Sequence, residues 1–107
     1  MRRGDLVTVA LPGSLGKARP ALVIQSNLFE AHPSVTVLPI TTELRDAPLF
    51  RVRVAANAGH GLLHISEIMI DKAYTVARTK IGRQIGTLEE EIMVAVNRAL
   101  AVFLGFA

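Results

Sequence analysis

The chain has 107 residues, which suffices for one domain over residues 1–107 and is too short for a second hydrophobic core. Half of the residues are hydrophobic and the formal net charge is +3. This composition excludes intrinsic disorder, and no apolar run approaches the ~20 residues of a membrane span. Cysteine is absent, which excludes disulfides, thiol catalysis and cysteine-based zinc sites. The first residues hold no apolar signal segment, so we expect a cytoplasmic protein without membrane association.

Short apolar or β-branched runs, separated by glycine and proline, fill the first 88 residues and indicate strands. Strands are predicted at Leu6–Leu11, Ala21–Gln25, Val35–Thr41, Phe50–Val54, Ile65–Ile70, Thr75–Ala77 and Arg83–Ile85. Ile65–Ile70 and Thr75–Ala77 are either two strands or halves of one bent strand. The run Ala21–Gln25 predicts burial on both faces, and Pro39 predicts a sheet edge or a bulge.

The hydrophobic period becomes helical after residue 87. Thr87 and Glu90 have the spacing of a capping box, and Gly105 predicts the stop. Apolar side chains recur at helical spacing at Ile92, Val96, Ala99, Leu100 and Phe103. These signals predict a helix from about Leu88 to Leu104. The whole pattern predicts an α+β fold: a small, strongly bent antiparallel β-barrel with a C-terminal α-helix.

Positive charge is concentrated in the strand region. Of the 12 lysines and arginines only Arg98 follows residue 88, whereas Glu89, Glu90 and Glu91 all do. Most of the cations are arginines, whose planar donor fork suits phosphate. A nucleic acid or an acidic protein is therefore the favoured partner, and an ordinary solubilising surface is the alternative.

Common catalytic motifs are absent from the sequence. The three histidines, His32, His60 and His64, do not have metal-site spacing. No phosphate-binding glycine loop and no Gly-x-Ser-x-Gly elbow occurs. We expect neither a metal nor a cofactor.

Two segments place polar side chains at the ends of predicted strands. Arg19, followed by a proline, directly precedes the run Ala21–Gln25, which predicts a guanidinium on a rigid base. Thr41 and Thr42 close the next predicted strand. From composition alone, a solvated arginine and ordinary β-propensity are the simpler explanations.

Six segments together carry a family resemblance. They are Arg3–Val7, Arg19–Ser26, Leu38–Thr42, Gly61–Leu62, Ser66–Lys72 and Gly86–Leu88. In order, spacing and chain length they resemble the MazF/PemK toxins of bacterial toxin–antitoxin pairs, which share their fold with the CcdB toxins. The resemblance implies an SH3-like barrel, a homodimer, and metal-free cleavage of single-stranded RNA at short sequences.

By position, the resemblance assigns catalysis to Arg19 and Thr41, and we add the neighbouring Thr42 as a candidate auxiliary. In metal-free cleavage the ribose 2′-hydroxyl is the nucleophile, so a guanidinium and a hydroxyl can stabilise charge on the phosphate oxygens. The expected products are a 2′,3′-cyclic phosphate and a free 5′-hydroxyl. Many relatives carry a glutamate after the Gly-Ser of the first loop, where this chain has Leu15. The acid–base partner is therefore unassigned.

A wider set of side chains is predicted to contact RNA. Its members are Ser14, Lys17, Pro20, Gln25, Ser26, Asn27, Arg51, Arg53, Lys72, Arg78 and Lys80. The alternative for Gln25, Ser26 and Asn27 is that they finish a strand and cap the next turn. Any one of the cations is otherwise an ordinary surface charge.

These features predict a sequence-specific, metal-independent endoribonuclease toxin that a cognate antitoxin neutralises by competing with RNA. The alternative is a non-catalytic gyrase poison of the CcdB type. Those toxins favour a tryptophan near the C-terminus, and this chain has none. A third interpretation, a barrel that binds RNA without cutting it, fits Leu15. A terminal helix that is apolar on two faces predicts a self-pairing surface.

Overall fold

Short antiparallel strands make up most of the structure, a computed structural model that describes residues 1–10, 17–57 and 59–107. Within those residues the strands are β1 (Asp5–Ala10), β2 (Ala18–Val23), β3 (Ser34–Thr41), β4 (Arg51–Val54), β5 (Ser66–Met69), β6 (Tyr74–Ala77) and β7 (Ile81–Thr87). Helix α1 spans Glu90–Leu104, and short 3-10 turns lie at Asn27–Phe29, Ile70–Lys72 and Arg78–Lys80. A mostly antiparallel sheet followed by a C-terminal helix agrees with the predicted α+β class.

The hydrogen-bonded strand order is β4-β5-β3-β2-β1-β7, with β6 also paired to β3. Strand β3 is shared by two parts of the sheet, since its residues 34–37 pair with β6 and its residues 40–41 pair with β5. Strands β5 and β6 are thus separate strands and not halves of one. In the described ranges β4 and β7 do not pair. The sheet is therefore open, and a closed barrel is not confirmed.

Pro39 lies in this shared strand, so of the two predicted positions, a sheet edge or a bulge, the sheet edge is wrong. The backbone N–H of Ile24 donates to the Thr36 carbonyl at 3.2 Å. Thr36 therefore belongs to a hydrogen-bonded pair with β2. Because hydrogen-bonded and non-hydrogen-bonded pairs alternate along an antiparallel ladder, position 39 belongs to a non-hydrogen-bonded pair, and the N–H that Pro39 lacks would face away from β2. On that side, pairing with β6 ends at Val37 and pairing with β5 begins at Ile40. The proline occupies the changeover, where no ladder bond is lost.

Two hydrophobic clusters cover opposite faces of the central strands. Because side chains alternate along a strand, Leu6, Leu22 and Leu38 face one cluster, which Val96 and Leu100 of α1 complete. The other cluster contains Val7, Val9, Ala21, Val23, Val35 and Val37, with Tyr74, Val76 and Ile81 packed against it. The central strands are therefore buried on both faces, as predicted for Ala21–Gln25, although β2 itself ends at Val23.

Helix α1 begins two residues later than predicted, and the capping box does not form. Glu89 is the N-cap and makes no side-chain capping hydrogen bond. The buried Leu88 donates its backbone N–H to the carbonyl of Gly4, just before β1, at 2.9 Å. Because this bond continues the sheet pairing, Thr87 remains in β7, where its hydroxyl donates to Asp5 at 3.2 Å. The predicted stop is confirmed, since Gly105 adopts a left-handed φ of 86°. None of the described helices has the length and apolarity to cross a bilayer.

Candidate active site

A groove opens where β2 and β3 stop pairing. The hydrogen-bonded pair after Leu22 and Leu38 would join residue 20 to Ile40, but residue 20 is a proline and has no N–H to donate. The ladder consequently ends at Ala21, and the strands diverge around a cavity of about 440 Å³. Its lining residues are Arg19, Pro20, Pro39, Ile40, Thr41, Thr42, Glu43 and Ser66. The volume is that of an ordinary small-molecule site.

Arg19 forms one wall of this groove. Its backbone is opposite Val9 in the β1–β2 ladder, and Val9 is fully buried, so the arginine stands on a fixed base. The side chain is exposed. Within the described residues its guanidinium has no hydrogen-bond or ion-pair partner. All of its donors are therefore available to a ligand.

Thr41 and Thr42 form the facing wall. The β2–β3 register places residue 21 opposite residue 39, so its extension by two positions puts Arg19 opposite Thr41. The Thr41 hydroxyl oxygen accepts the Glu43 backbone N–H at 3.0 Å. Because that contact uses only a lone pair, the hydroxyl proton remains available for donation. The groove thus brings together the three residues predicted to act in catalysis.

Two polar groove residues were not predicted as site residues. Glu43 directly follows the Thr41–Thr42 pair, and this adjacency is the signal that could have identified it. Ser66 is buried and donates its hydroxyl to the His64 carbonyl at 2.9 Å. It reaches the groove only because β5 pairs with the end of β3, which no local pattern reveals.

Beside the groove lies an ion cluster around the buried carboxylate of Glu67, which we call the Glu67 cluster: Glu67, Arg51 and Arg53. Arg51 Nη1 lies 2.9 Å from one oxygen of Glu67, and Arg53 donates to the other oxygen from Nε at 3.1 Å and Nη2 at 2.8 Å. The Arg45 N–H adds a bond of 2.9 Å. Burial acts to raise the pKa of Glu67, but these donors outweigh it and hold that pKa below its usual value.

The Glu67 cluster changes the interpretation of two predicted RNA contacts. The Arg51 side chain is only 6% exposed, whereas that of Arg53 is 51% exposed. Arg51 also donates to the Glu43 carbonyl at 3.0 Å. Arg51 therefore holds the protein together where the sequence suggested contact with RNA, and neither arginine lines the groove.

Gln25, Ser26 and Asn27 also have partners inside the protein. The Gln25 amide donates to the Ser34 carbonyl at 2.9 Å and accepts the Thr36 N–H at 3.0 Å. The Ser26 hydroxyl accepts the Leu28 N–H at 3.2 Å, and Asn27 accepts the Arg3 N–H at 2.7 Å. These side chains finish β2 and cap the turn that follows it, which was the alternative interpretation.

The remaining predicted RNA contacts lie elsewhere. Arg78 donates to the His32 carbonyl at 2.8 Å and so anchors a loop, while Lys72 lies 3.3 Å from Asp71. Lys17 and Lys80 are exposed. None of these four belongs to the described lining of the groove, and Ser14 lies outside the described residues. In the described part of the chain, no group of three His, Asp or Glu side chains could hold a metal ion.

The fold and the groove together define a class: a small antiparallel β protein with a C-terminal helix and a groove that brings Arg19, Thr41 and Thr42 together. Residues 2–104 match the family model of the PemK-like, MazF-like toxins of type II toxin–antitoxin systems. The chain belongs to this family, as its sequence segments predicted. A gyrase poison of the CcdB type is consequently not favoured.

Individual relatives agree with this assignment. A protein of Mycolicibacterium smegmatis named probable endoribonuclease MazF is 49% identical, over 100% of this chain and 99% of its own length. The Mycobacterium tuberculosis toxin MazF-mt6 superposes with a TM-score of 0.81 at 30% identity, covering 94% of this chain and 96% of that one. A mycobacterial endoribonuclease solved with its cognate antitoxin gives a TM-score of 0.83 at 25% identity, with 100% and 97% coverage.

Proposed function

We propose that this chain is a toxin that cleaves single-stranded RNA at specific sequences without a metal, and that a cognate antitoxin neutralises it. The observation that carries the proposal is the unpartnered Arg19 guanidinium facing Thr41 across the groove. Relatives that match 97% to 100% of the chain are named endoribonucleases, which supports the same activity. We further infer one cytoplasmic toxin domain over residues 1–107, with the bent sheet following an SH3-like course.

In this mechanism the groove holds one phosphodiester. Arg19 pairs with the non-bridging oxygens, where charge grows as the ribose 2′-hydroxyl attacks phosphorus. Thr41 donates a hydrogen bond from its hydroxyl group to the same oxygens, and Thr42 assists at the rim of the groove. Pro20 shapes the floor by ending the ladder, and Lys17, Lys72 and Lys80 attract the RNA backbone. The products are a 2′,3′-cyclic phosphate and a 5′-hydroxyl.

A homodimer fits the apolar surface of α1. Val94, Val102, Phe103 and Leu104 are each 44% to 56% exposed, and a groove of about 380 Å³ runs between α1 and residues 48–52. Exposed apolar side chains on a terminal helix beside such a groove are typical of an interface. Light scattering on the purified protein should give twice the chain mass, and a monomer would contradict the dimer.

The antitoxin is proposed to occupy the Arg19 groove through an acidic, extended segment. An acidic segment complements the free guanidinium and excludes the RNA phosphate by competition. Titration with such a peptide should stop RNA cleavage in the wild-type protein, and its affinity should fall in Arg19→Ala.

The decisive experiment incubates purified protein with a long single-stranded RNA in EDTA. Cleavage at discrete sites is expected from the wild-type protein and from Arg83→Ala, which removes an exposed β7 arginine outside the groove. Arg19→Ala should leave the RNA intact. Intact RNA with the wild-type protein, together with inhibited DNA supercoiling by gyrase, would refute the nuclease. RNA binding without cleavage by the wild-type protein would also refute it.

A further inference from the structure

The Arg19 groove contains one carboxylate among its described lining residues, and that carboxylate belongs to Glu43. Arginine is a poor general base because it stays protonated, and neither threonine nor serine is one unaided. We propose that Glu43 is the general base that removes the proton from the ribose 2′-hydroxyl. This inference rests on the proposed ribonuclease function and names the acid–base residue of the same site.

The backbone of Glu43 is held on both sides. Its N–H donates to the Thr41 hydroxyl at 3.0 Å, and its carbonyl accepts from Arg51 Nη1 at 3.0 Å. Arg51 is itself fixed by the buried carboxylate of Glu67 at 2.9 Å. The backbone of Glu43 is therefore fixed beside Thr41, so its side chain starts from a defined point in the groove.

The carboxylate of Glu43, in contrast, is uncommitted. The residue is exposed, and in the described part of the chain its side chain has no hydrogen-bond or ion-pair partner. Arg19 on β2 lines the same groove, and Arg51 on β4 donates to the Glu43 carbonyl. Arg45, Asp46 and the buried Glu67 lie on the Arg51 side, where they line the neighbouring cavity. A substrate that enters between Arg19 and Thr41 meets this carboxylate as the available proton acceptor.

Neighbouring carboxylates do not fit the role. Both oxygens of Glu67 are occupied by arginine and backbone donors, and its side chain is 3% exposed. Asp46 is only three residues from Glu43, but it lines a separate cavity of about 300 Å³ with Arg45 and Arg53. Asp46 thus supplies a matched control: an exposed acid in the same segment, outside the groove.

The step balances without any co-reactant other than water. The 2′-hydroxyl gives its proton to the Glu43 carboxylate, the bond between the 2′-oxygen and phosphorus forms, and the bond from phosphorus to the 5′-oxygen breaks. The departing 5′-oxygen takes a proton from water in the open groove. Glu43 then returns its proton to the solvent, so the enzyme is unchanged.

The test compares Glu43→Gln, Glu43→Asp and Asp46→Asn with the wild-type protein on one short RNA that contains a mapped cleavage site. Single-turnover cleavage rates are measured from pH 4 to 9, and RNA affinity is measured by fluorescence anisotropy on an uncleavable 2′-deoxy analogue. General-base catalysis contributes about 10²- to 10⁴-fold. Glu43→Gln should therefore lose cleavage by at least about 10²-fold, with undiminished affinity because a negative charge has been removed.

Two further readouts separate a base from a residue that only supports the groove. The fall in rate on the acid side of the wild-type profile should disappear in Glu43→Gln and persist in Asp46→Asn. Glu43→Asp keeps the carboxylate, so it should retain that acid limb with a lower rate. Thermal unfolding of each variant confirms that it is folded.

The proposal is overturned by a Glu43→Gln rate equal to that of Asp46→Asn, by an acid limb that survives in Glu43→Gln, or by parallel losses of affinity and rate. If Arg19→Ala abolishes cleavage in the same series, those results remove only the role of Glu43 and leave the ribonuclease assignment in place. A wild-type protein that leaves the RNA intact removes both.

Discussion

Arg19 and Arg51 carry the same guanidinium group but use its hydrogen-bond donors differently. Arg19 lies at the start of β2, is exposed, and keeps its donors for a ligand. Arg51 lies at the start of β4, is buried, and gives its donors to Glu67 and to the Glu43 carbonyl. The difference shows that the neighbours supplied by the fold, here the buried Glu67 beside Arg51, decide whether an arginine's charge is available to a ligand or is used within the protein. The net charge of +3 does not distinguish the two.

The largest expected effect comes from Arg19→Ala, which tests the ligand-facing half of this comparison. Removing one charge-stabilising donor costs about 10²- to 10³-fold in rate, and we expect that loss in single-turnover RNA cleavage. Because the side chain has no partner in the folded protein, the free energy of unfolding in urea should change by less than about 0.5 kcal/mol. A marked loss of stability would show that Arg19 is structural as well.

Arg51→Ala should show the opposite profile. Removing one partner of a buried ion pair costs about 3 to 5 kcal/mol, and the lower end applies because Arg53 and the Arg45 N–H still bind Glu67. Urea unfolding measures this loss. The matched control is Arg53→Ala, whose side chain is 51% exposed and should cost less than about 1 kcal/mol. Equal losses in both variants would contradict the distinction between them.

Acid should weaken the protein through Glu67. Its pKa is lowered in the folded state from an ordinary value of 4.5, so the ionised form favours folding. That contribution is present above pH 4.5 and is lost as the pH falls through the lowered value. Unfolding free energies at pH 7 and pH 3.5 should therefore differ more in the wild-type protein than in Glu67→Gln. A Glu67→Gln variant with the same acid sensitivity would exclude this residue as the cause.

The smallest expected effect concerns the buried hydroxyl of Tyr74, which differs from Glu67 in having no hydrogen-bond partner within the described residues. Burial raises the pKa of Tyr74 above 10.0. The neutral form therefore favours folding, and stability should fall as the pH rises from 10 through the folded-state value. Tyr74→Phe should remove that alkaline loss and change stability at pH 7 by at most about 1 kcal/mol, towards a more stable protein. Urea unfolding at pH 7 and pH 10.5 checks both statements.

The sequence predicted what local patterns and the family resemblance can carry. The both-face burial of Ala21 and the end of α1 at Gly105 were predicted because each leaves a mark within a few neighbouring residues. The family was predicted because six segments in fixed order along the chain carry it. The catalytic roles of Arg19 and Thr41 remain predictions, although the fold does bring these residues to one groove.

The errors and omissions arose from contacts between distant segments. Thr87 has a capping-box spacing, but its partner is Asp5, 82 residues away in the chain. Arg51 has the alternation of a surface strand, but Glu67 lies beside it across the β4–β5 pairing. Glu43 was missed because its place in the groove with Arg19 depends on the β2–β3 register, and its adjacency to Thr41 and Thr42 was the one local signal.

Pro20 has a consequence for how such a protein can be silenced. The groove opens where the β2–β3 ladder ends, because Pro20 has no backbone N–H to donate. A residue with an ordinary backbone N–H at that position would face the Ile40 carbonyl, and the resulting hydrogen bond would extend the β2–β3 pairing into the groove. Activity is then vulnerable to a change that leaves every reacting side chain intact. The backbone chemistry of Pro20 thus belongs to the site as much as the side chains around it do.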